Sequence, residues 1–326
     1  MPNLELQKKT DVSPFRKIAI GTWTTAYDPS VYGTMELPMD RAMEYIQDFR
    51  EKTGKRVTVT HLIARAVAEA LNKCPDANAI LRFNRIYLRK RIGVFMQVVM
   101  TDEGSDKIDL SGVTIYDVAD KSLGEICDEV QEKVDVVRKR KDPALEKSRN
   151  SFRFVPYFLL NFFLKFLSFL SVTLNLDLRW MGIPQDGFGS IMVTNIGTLG
   201  LDQAFVPIVP WSRVPMLLAT GEVRERPMVE DGEVVIRKQM KISATFDHRL
   251  IDGFHASVMS RTLRAWLEEP YKHFGPIPDG DAEDEPEELD EDVDEPAEDE
   301  ELEESGEERD EDEDEEEDEE EEEEGK

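Results

Sequence analysis

One stretch of the sequence gathers groups able to move a proton at a reacting centre. It runs Ser243-Ala244-Thr245-Phe246-Asp247-His248-Arg249-Leu250-Ile251-Asp252-Gly253. A histidine, two carboxylates, an arginine and a glycine fall within seven positions, directly after alternating small and apolar residues that read as a strand. An imidazole titrates near neutral pH, so it can take a proton from a reacting group and give it back. A strand end holds such a group rigidly while presenting it to a cleft. On spacing alone a second reading stands beside this one: a charged strand-to-helix turn whose histidine is only hydrogen-bonded. Of the four histidines, only His248 has so many charged neighbours at a strand end. His61 opens a helical run and reads as a first-turn structural residue.

The elements that must position this stretch are legible from periodicity. Val31 to Leu37 alternates as a strand, and Pro38 and Asp40 open a helix that Gly54 ends. Thr60 is the expected N-cap of a helix from His61 to Lys73, buried through Leu62, Ala66 and Ala70 with their neighbours. Ile86 to Leu88 and Ile92 to Met100 read as strands, the second apolar enough to be central. Ser122 and Glu125 have capping-box spacing before the next helix. Ser190 to Thr194 is a strand that runs into the glycine-punctuated turn Asn195 to Gly200, which lacks the lysine of a P-loop. Three further strands are expected at Met216 to Thr220, Val234 to Arg237 and Lys241 to Thr245, with a hairpin turn at Asp231-Gly232. A helix from Phe254 to Leu267 closes the series before Pro270. Irregular alternation of strand and helix predicts a mixed α/β or α+β domain, not a doubly wound one.

The formal charge of −30 belongs to one end of the chain. Residues 281–326 carry 34 Asp and Glu against Arg309 and Lys326, which leaves the rest near neutral. Such a block buries too little apolar surface to offset its ordering entropy and is expected to be a disordered, solvating tail. Cys74 and Cys127 lack metal spacing and read as free thiols of a reducing compartment. The first residues show no signal pattern, so a cytoplasmic protein is expected. No nucleic-acid partner is expected.

Residues 154–176 are apolar over a length near that of a membrane span, yet Asn161, Lys165, Ser168, Ser171 and Asn175 form a polar stripe at helical spacing. Seven basic and two acidic residues lie in 138–153 just upstream. Two readings stand: a buried helix or subunit contact, and an amphipathic helix docked on an anionic membrane surface at the inner face.

In order, the motifs resemble the catalytic domain of the 2-oxo acid dehydrogenase dihydrolipoamide acyltransferases, which shares the chloramphenicol acetyltransferase fold. Phe15-Arg16-Lys17-Ile18-Ala19 is similar to the family's opening segment, and Val193-Thr194-Asn195-Ile196-Gly197-Thr198-Leu199-Gly200 to its Ile-Ser-Asn-Leu-Gly-x-x-Gly. Asp247-His248-Arg249-Leu250-Ile251-Asp252-Gly253 is similar to its Asp-His-Arg-x-x-Asp-Gly signature in full. The resemblance implies an α/β two-layer sandwich, a mixed sheet with flanking helices, over residues 14–275. Residues 1–13 would be an extension, 140–188 an apolar helical insertion, and 276–326 the acidic tail.

It also implies roles. His248 would be the general base that takes the proton of coenzyme A or dihydrolipoamide. Thr194, where the family has serine, would stabilise the oxyanion. Asp252 would hold the loop with Arg16 as partner, Asp247 and Arg249 would support the site, and Gly253 would permit the sharp turn into the next helix. Acyl-CoA would be a substrate, any lipoyl group would arrive in trans, and no metal would be needed. Homotrimers are implied, with each site built from His248 of one chain and the Thr194 loop of the next. Charge repulsion between tails predicts an isolated trimer and not a larger core. Two other functions stay open: a membrane-associated acyltransferase with a non-lipoyl acceptor, and a non-catalytic trimeric scaffold displaying acidic tails.

Overall fold

The computed structural model describes residues 3–10, 29–101, 108–138 and 157–278, all within the first of two compact units, Met1–Pro296. Arg16, the residues from 139 to 156 and the acidic run of 281–326 lie outside the described residues.

In chain order the elements are β1 (Leu6–Lys8), β2 (Ser30–Pro38), α1 (Asp40–Thr53), α2 (Val59–Lys73), β3 (Ala79–Arg82), β4 (Arg85–Arg89), β5 (Gly93–Thr101), β6 (Ile108–Tyr116), α3 (Leu123–Arg138) and α4 (Tyr157–Ser168). They continue with β7 (Ile191–Asn195), β8 (Met216–Thr220), β9 (Arg224–Glu230), β10 (Glu233–Asp247), α5 (Gly253–Glu268) and the single turn α6 (Pro270–His273). A small sheet has the order β1-β4-β3. The main sheet runs β2-β10-β8-β7-β5-β6, with β9 paired to β10. It is mixed: β7 lies parallel to both β5 and β8, and β10 antiparallel to β8.

Alternation along the strands sorts their side chains to two faces. Val94 and Met96, Ile191 and Val193, Met216 and Leu218, and Ile242 and Ala244 join the core with Leu62, Ala66 and Leu263 of the helices. Their neighbours Met192 and Leu217 instead pack with Val214, Phe95 and Phe188 in a second, smaller cluster. Thr194, two residues past Met192, and Ser243, Thr245 and Asp247 share that second face by the same periodicity.

Several expectations change in detail. The N-cap of α2 is Thr58, not Thr60, because His61 reaches back to the Thr58 backbone N–H (3.1 Å) and completes a capping box. Pro38 ends β2 instead of opening α1; the strand is an edge, where a missing N–H costs no ladder bond. The two strands expected at 234–237 and 241–245 are one 15-residue strand, β10, which pairs with β9 over its first half and with β2 and β8 over its second. The Asp231-Gly232 turn is present with φ 50° and 87°, the left-handed pair that matches strand twist. Strands β1, β3 and β9 have no expectation in the sequence. Cys74 and Cys127 are free and buried, and burial pushes the Cys127 thiol up to about 11.

Candidate active site

The His248 turn is built from the end of β10. Asp247 is the last strand residue; its N–H donates to the Pro215 carbonyl (2.8 Å), and the next N–H, of His248, donates to Pro29 (2.9 Å). The chain then turns, with Leu250 and Ile251 N–H both donating to the Asp247 carbonyl (2.9 Å). Inside the turn Asp247 and Arg249 form a buried, two-pronged pair, Nε to Oδ1 2.9 Å and Nη2 to Oδ2 2.6 Å. Arg249 N–H also donates to Asp247 Oδ1 (3.1 Å). With Leu250 and Ile251 buried in the main core, the residues flanking His248 are fixed from both sides, while His248 itself stays half-buried. The placement matches a rigid support for a proton carrier.

Asp252 is not merely a loop carboxylate. It is the N-cap of α5, with Oδ1 accepting from the N–H groups of Phe254 (3.0 Å) and His255 (3.2 Å) and lying 2.6 Å from His255 Nδ1. His255 was missed by sequence reasoning; its signal is the cap-x-x-His spacing, with histidine where a capping box usually has Glu or Gln. Gly253 departs from its expected role. It is absent from the positive-φ residues, and a Cβ on it would meet nothing within 4 Å, because His248 to Leu250 and an extended Asp252 (ψ −175°) make the turn. The expected Arg16 partner of Asp252 lies outside the described residues.

Thr194 is buried near the end of β7 and is level with Ala219 of β8 and, one strand further, Ser243 of β10. Its loop is tightly fixed: a Cβ on Gly197 would come within 2.8 Å of the Glu222 backbone. Because β10 runs against β7 and β8, His248 follows the opposite end of the strand ladder from Asn195. Four residues along the strands and two strands across separate Asp247 from Thr194 by about 16 Å. One chain therefore does not bring Thr194 and His248 together.

Arg213, also unforeseen, stands close to the Asp247–Arg249 pair. Burial and the Arg249 charge lower its pKa, and Asp247 offsets them in part. Its Nε donates to Ser168 Oγ (3.2 Å), which ties the end of α4 to the neighbourhood of the His248 turn. Ser168 is only 2% exposed, whereas Phe162 is 69% and Phe166 46% exposed. Ser168, from the later part of the polar stripe, thus faces the protein beside the buried Leu167, while Phe162 and Phe166 face out with Asn161 and Lys165. Asn175, further along that stripe, exchanges hydrogen bonds with the backbone of Leu4 (2.6 and 2.9 Å). For the described part of 154–176 the reading as a buried helix is corrected: Phe162, Phe166 and Phe169 are exposed, while the inner side mixes Ser168 and Thr173 with the buried Leu167 and Val172.

Among the described residues no group of three or more His, Cys, Asp or Glu side chains could hold a metal ion. An open cavity of about 230 Å³ lies elsewhere, between Leu71, Pro75 and the Arg89 to Ile92 turn, and contains none of the sequence-predicted site residues.

The family model described as 2-oxoacid dehydrogenases acyltransferase (catalytic domain) matches residues 5–152 and 185–274. The chain belongs to this family. The match leaves out 153–184, the segment that contains α4. Among curated relatives, a lipoamide acyltransferase component of the branched-chain alpha-keto acid dehydrogenase complex of Pseudomonas putida is 37% identical over 81 residues, 25% of this chain and 19% of that protein. The chain thus spans about a fifth of the length of that relative. The crystal structure of a probable dihydrolipoamide acetyltransferase from Listeria monocytogenes superposes with a TM-score of 0.57 at 18% identity, covering 83% of this chain and 98% of that one. The dihydrolipoamide acetyltransferase of Azotobacter vinelandii gives 0.55 at 21% identity, over 81% and 93%. These likenesses fix the fold: a mixed sheet with flanking helices.

Proposed function

We propose that the chain transfers acyl groups between coenzyme A and a dihydrolipoyl thiol, with His248 as the base. His248 takes the thiol proton, and the thiolate adds to the thioester carbonyl. The oxyanion that forms is met by the Thr194 hydroxyl of a neighbouring chain. Collapse breaks the old carbon–sulfur bond, and the departing thiolate recovers the proton from the imidazolium. Thiol pKa values of about 8–9 lie within reach of an imidazole base.

The observation that carries this reading is the His248 turn itself: the full signature stands on a strand end, braced by the buried Asp247–Arg249 pair. Supporting it, work on the Azotobacter enzyme concerns a serine, a histidine 52 residues later and an asparagine four residues beyond that in its catalytic mechanism. In this chain a hydroxyl, a histidine and a carboxylate fall in the same order at Thr194, His248 and Asp252, the histidine 54 residues after the hydroxyl and the carboxylate four beyond that.

The test is turnover of acetyl-CoA and longer acyl-CoA donors with dihydrolipoamide. His248→Ala should lower the rate by about 10²–10⁴-fold with the thermal melt unchanged. Thr194→Ala should lower it by about 10²–10³-fold, and Thr194→Ser should restore it. A His248→Ala protein that works within a few fold of the parent would remove the reading.

A further inference from the structure

We infer that the cavity at the turn between β4 and β5 binds a small aliphatic α-amino acid as its zwitterion. Its volume of about 230 Å³ falls below the roughly 300–1,000 Å³ of drug-sized pockets, which limits the ligand to a small molecule. His248 and Thr194 are not part of its lining, so this ligand is separate from the acyl transfer.

Two buried polar groups in the wall are incompletely used. Asn78, 5% exposed, lies between α2 and β3, and its Nδ2 donates to the Arg91 carbonyl (3.2 Å) and the Arg89 carbonyl (3.5 Å). Those bonds fix which way the amide faces and leave Oδ1 buried with no partner among the described residues. Arg89, 9% exposed, closes β4. Both oxygens of Asp186 hold its Nη1 (2.6 Å each), while the buried Nε–H has no acceptor among the described residues. Folded proteins pair nearly all such groups. A spare acceptor and a spare donor in the wall of one cavity therefore mark a place that something else completes.

The mouth adds one charge of each sign. Lys90 and Asp120 are exposed and line the cavity, and among the described residues neither makes an ion pair. Arg65 feels the charge of Asp120 without pairing with it. The remaining charges are matched, Arg91 to Asp117 and Arg89 to Asp186 (2.6 Å each). What is left over is a donor with a cation, Arg89 Nε–H and Lys90, and an acceptor with an anion, Asn78 Oδ1 and Asp120. A carboxylate suits the first couple and an ammonium the second. A simple anion would leave Asp120 opposing it, and a simple cation would leave Lys90 opposing it. An α-amino acid carries both groups on one carbon. Leu71, Pro75 and Ile92 add an apolar wall, which suits a short aliphatic side chain.

Calorimetric titration and thermal melts of the full chain with alanine, valine and leucine test this. At least one should bind with a dissociation constant of about 1 mM or tighter and raise the melting temperature. Its methyl ester, which lacks the carboxylate, and its N-acetyl form, which lacks the ammonium, should each bind about tenfold or more weakly. Lys90→Met and Asp120→Asn should separately weaken binding about tenfold with the ligand-free melt unchanged, since both side chains are exposed. Lys238→Met, equally exposed on β10, should leave binding as it is. No binding of any of the three at about 10 mM would leave the cavity to water and overturn the inference. So would binding that the ester and the acetyl form share, or binding that neither Lys90→Met nor Asp120→Asn affects.

Discussion

His61 and His255 hold the same station, the third residue of a helix, and each turns Nδ1 back to its own N-cap. His61 is buried beside Thr58, its Nδ1 3.1 Å from the Thr58 N–H that donates to it and 2.7 Å from Oγ1. Burial, and then the charge of Arg50, lower its pKa from 6.5 to about 4. Protonation would also abolish the acceptor that completes the cap. In the unfolded chain the imidazole binds a proton below about pH 6.5, while in the folded chain it stays neutral until about pH 4. Stability is therefore full above pH 6.5 and falls as pH drops through that window, by about 3 kcal/mol at most. Chemical denaturation at pH 7.5 and pH 4.5 should show this loss, and His61→Gln, which keeps an acceptor at the cap, should flatten it. The first-turn position of His61 made its structural role readable in the sequence. His255 was passed over because the Asp252 beside it read as a site carboxylate, and one carboxylate can serve a loop and a helix end together.

At the scale of elements, α5 begins where the signature ends, so capping and chemistry share Asp252. Asp252→Ala should cost about 1–2 kcal/mol through the lost cap. Asp252→Asn, an equally good N-cap, should keep the melting temperature near that of the parent. If both variants lose activity while only the alanine form loses stability, the carboxylate charge itself serves the reaction; thermal melts beside turnover assays decide it. The helix α4 shows why amphipathic spacing can mislead. Period tells which residues would share a face, but α4 ends at Ser168, and Asn175 lies past it with a left-handed φ of 58°; the partners on the domain decide what turns inward. Here those partners are Arg213 and the backbone of Leu4, both distant in sequence. The long strand β10 reads in the sequence as two segments because apolar Val234 and Ile236 are exposed on one face of its first half while Val235 and Arg237 are half-buried on the other, which removes the apolar-in, polar-out alternation that marks a strand.

For the whole molecule, the register of the main sheet bears on the proposed site. Thr194 and His248 lie toward opposite ends of the ladder, so a site that uses both needs two chains, and closed rotational symmetry supplies identical sites. A trimer follows from the proposed reading, with a solution mass of three 37.4 kDa chains. Mixing inactive His248→Ala and Thr194→Ala chains, unfolded and refolded together, should restore about a quarter of the parental activity, the fraction of sites that draw an intact residue from each neighbour. No recovery on mixing would place both residues in one chain's site, against the register.

Taken alone, the sequence determined the chemistry-bearing turn, the course of most helices, and the family that the spacing of its motifs resembles. Those features are local: a strand end, a cap and a signature depend on residues a few positions apart. Tertiary structure decided what depends on distant partners. It set the Arg213 anchor of α4 and the outward aromatics, the joining of two strand segments into β10, and the separation of Thr194 from His248. Each of these is fixed by pairing across the sheet or between segments far apart in the chain, and periodicity along a chain carries no record of which distant group will be met.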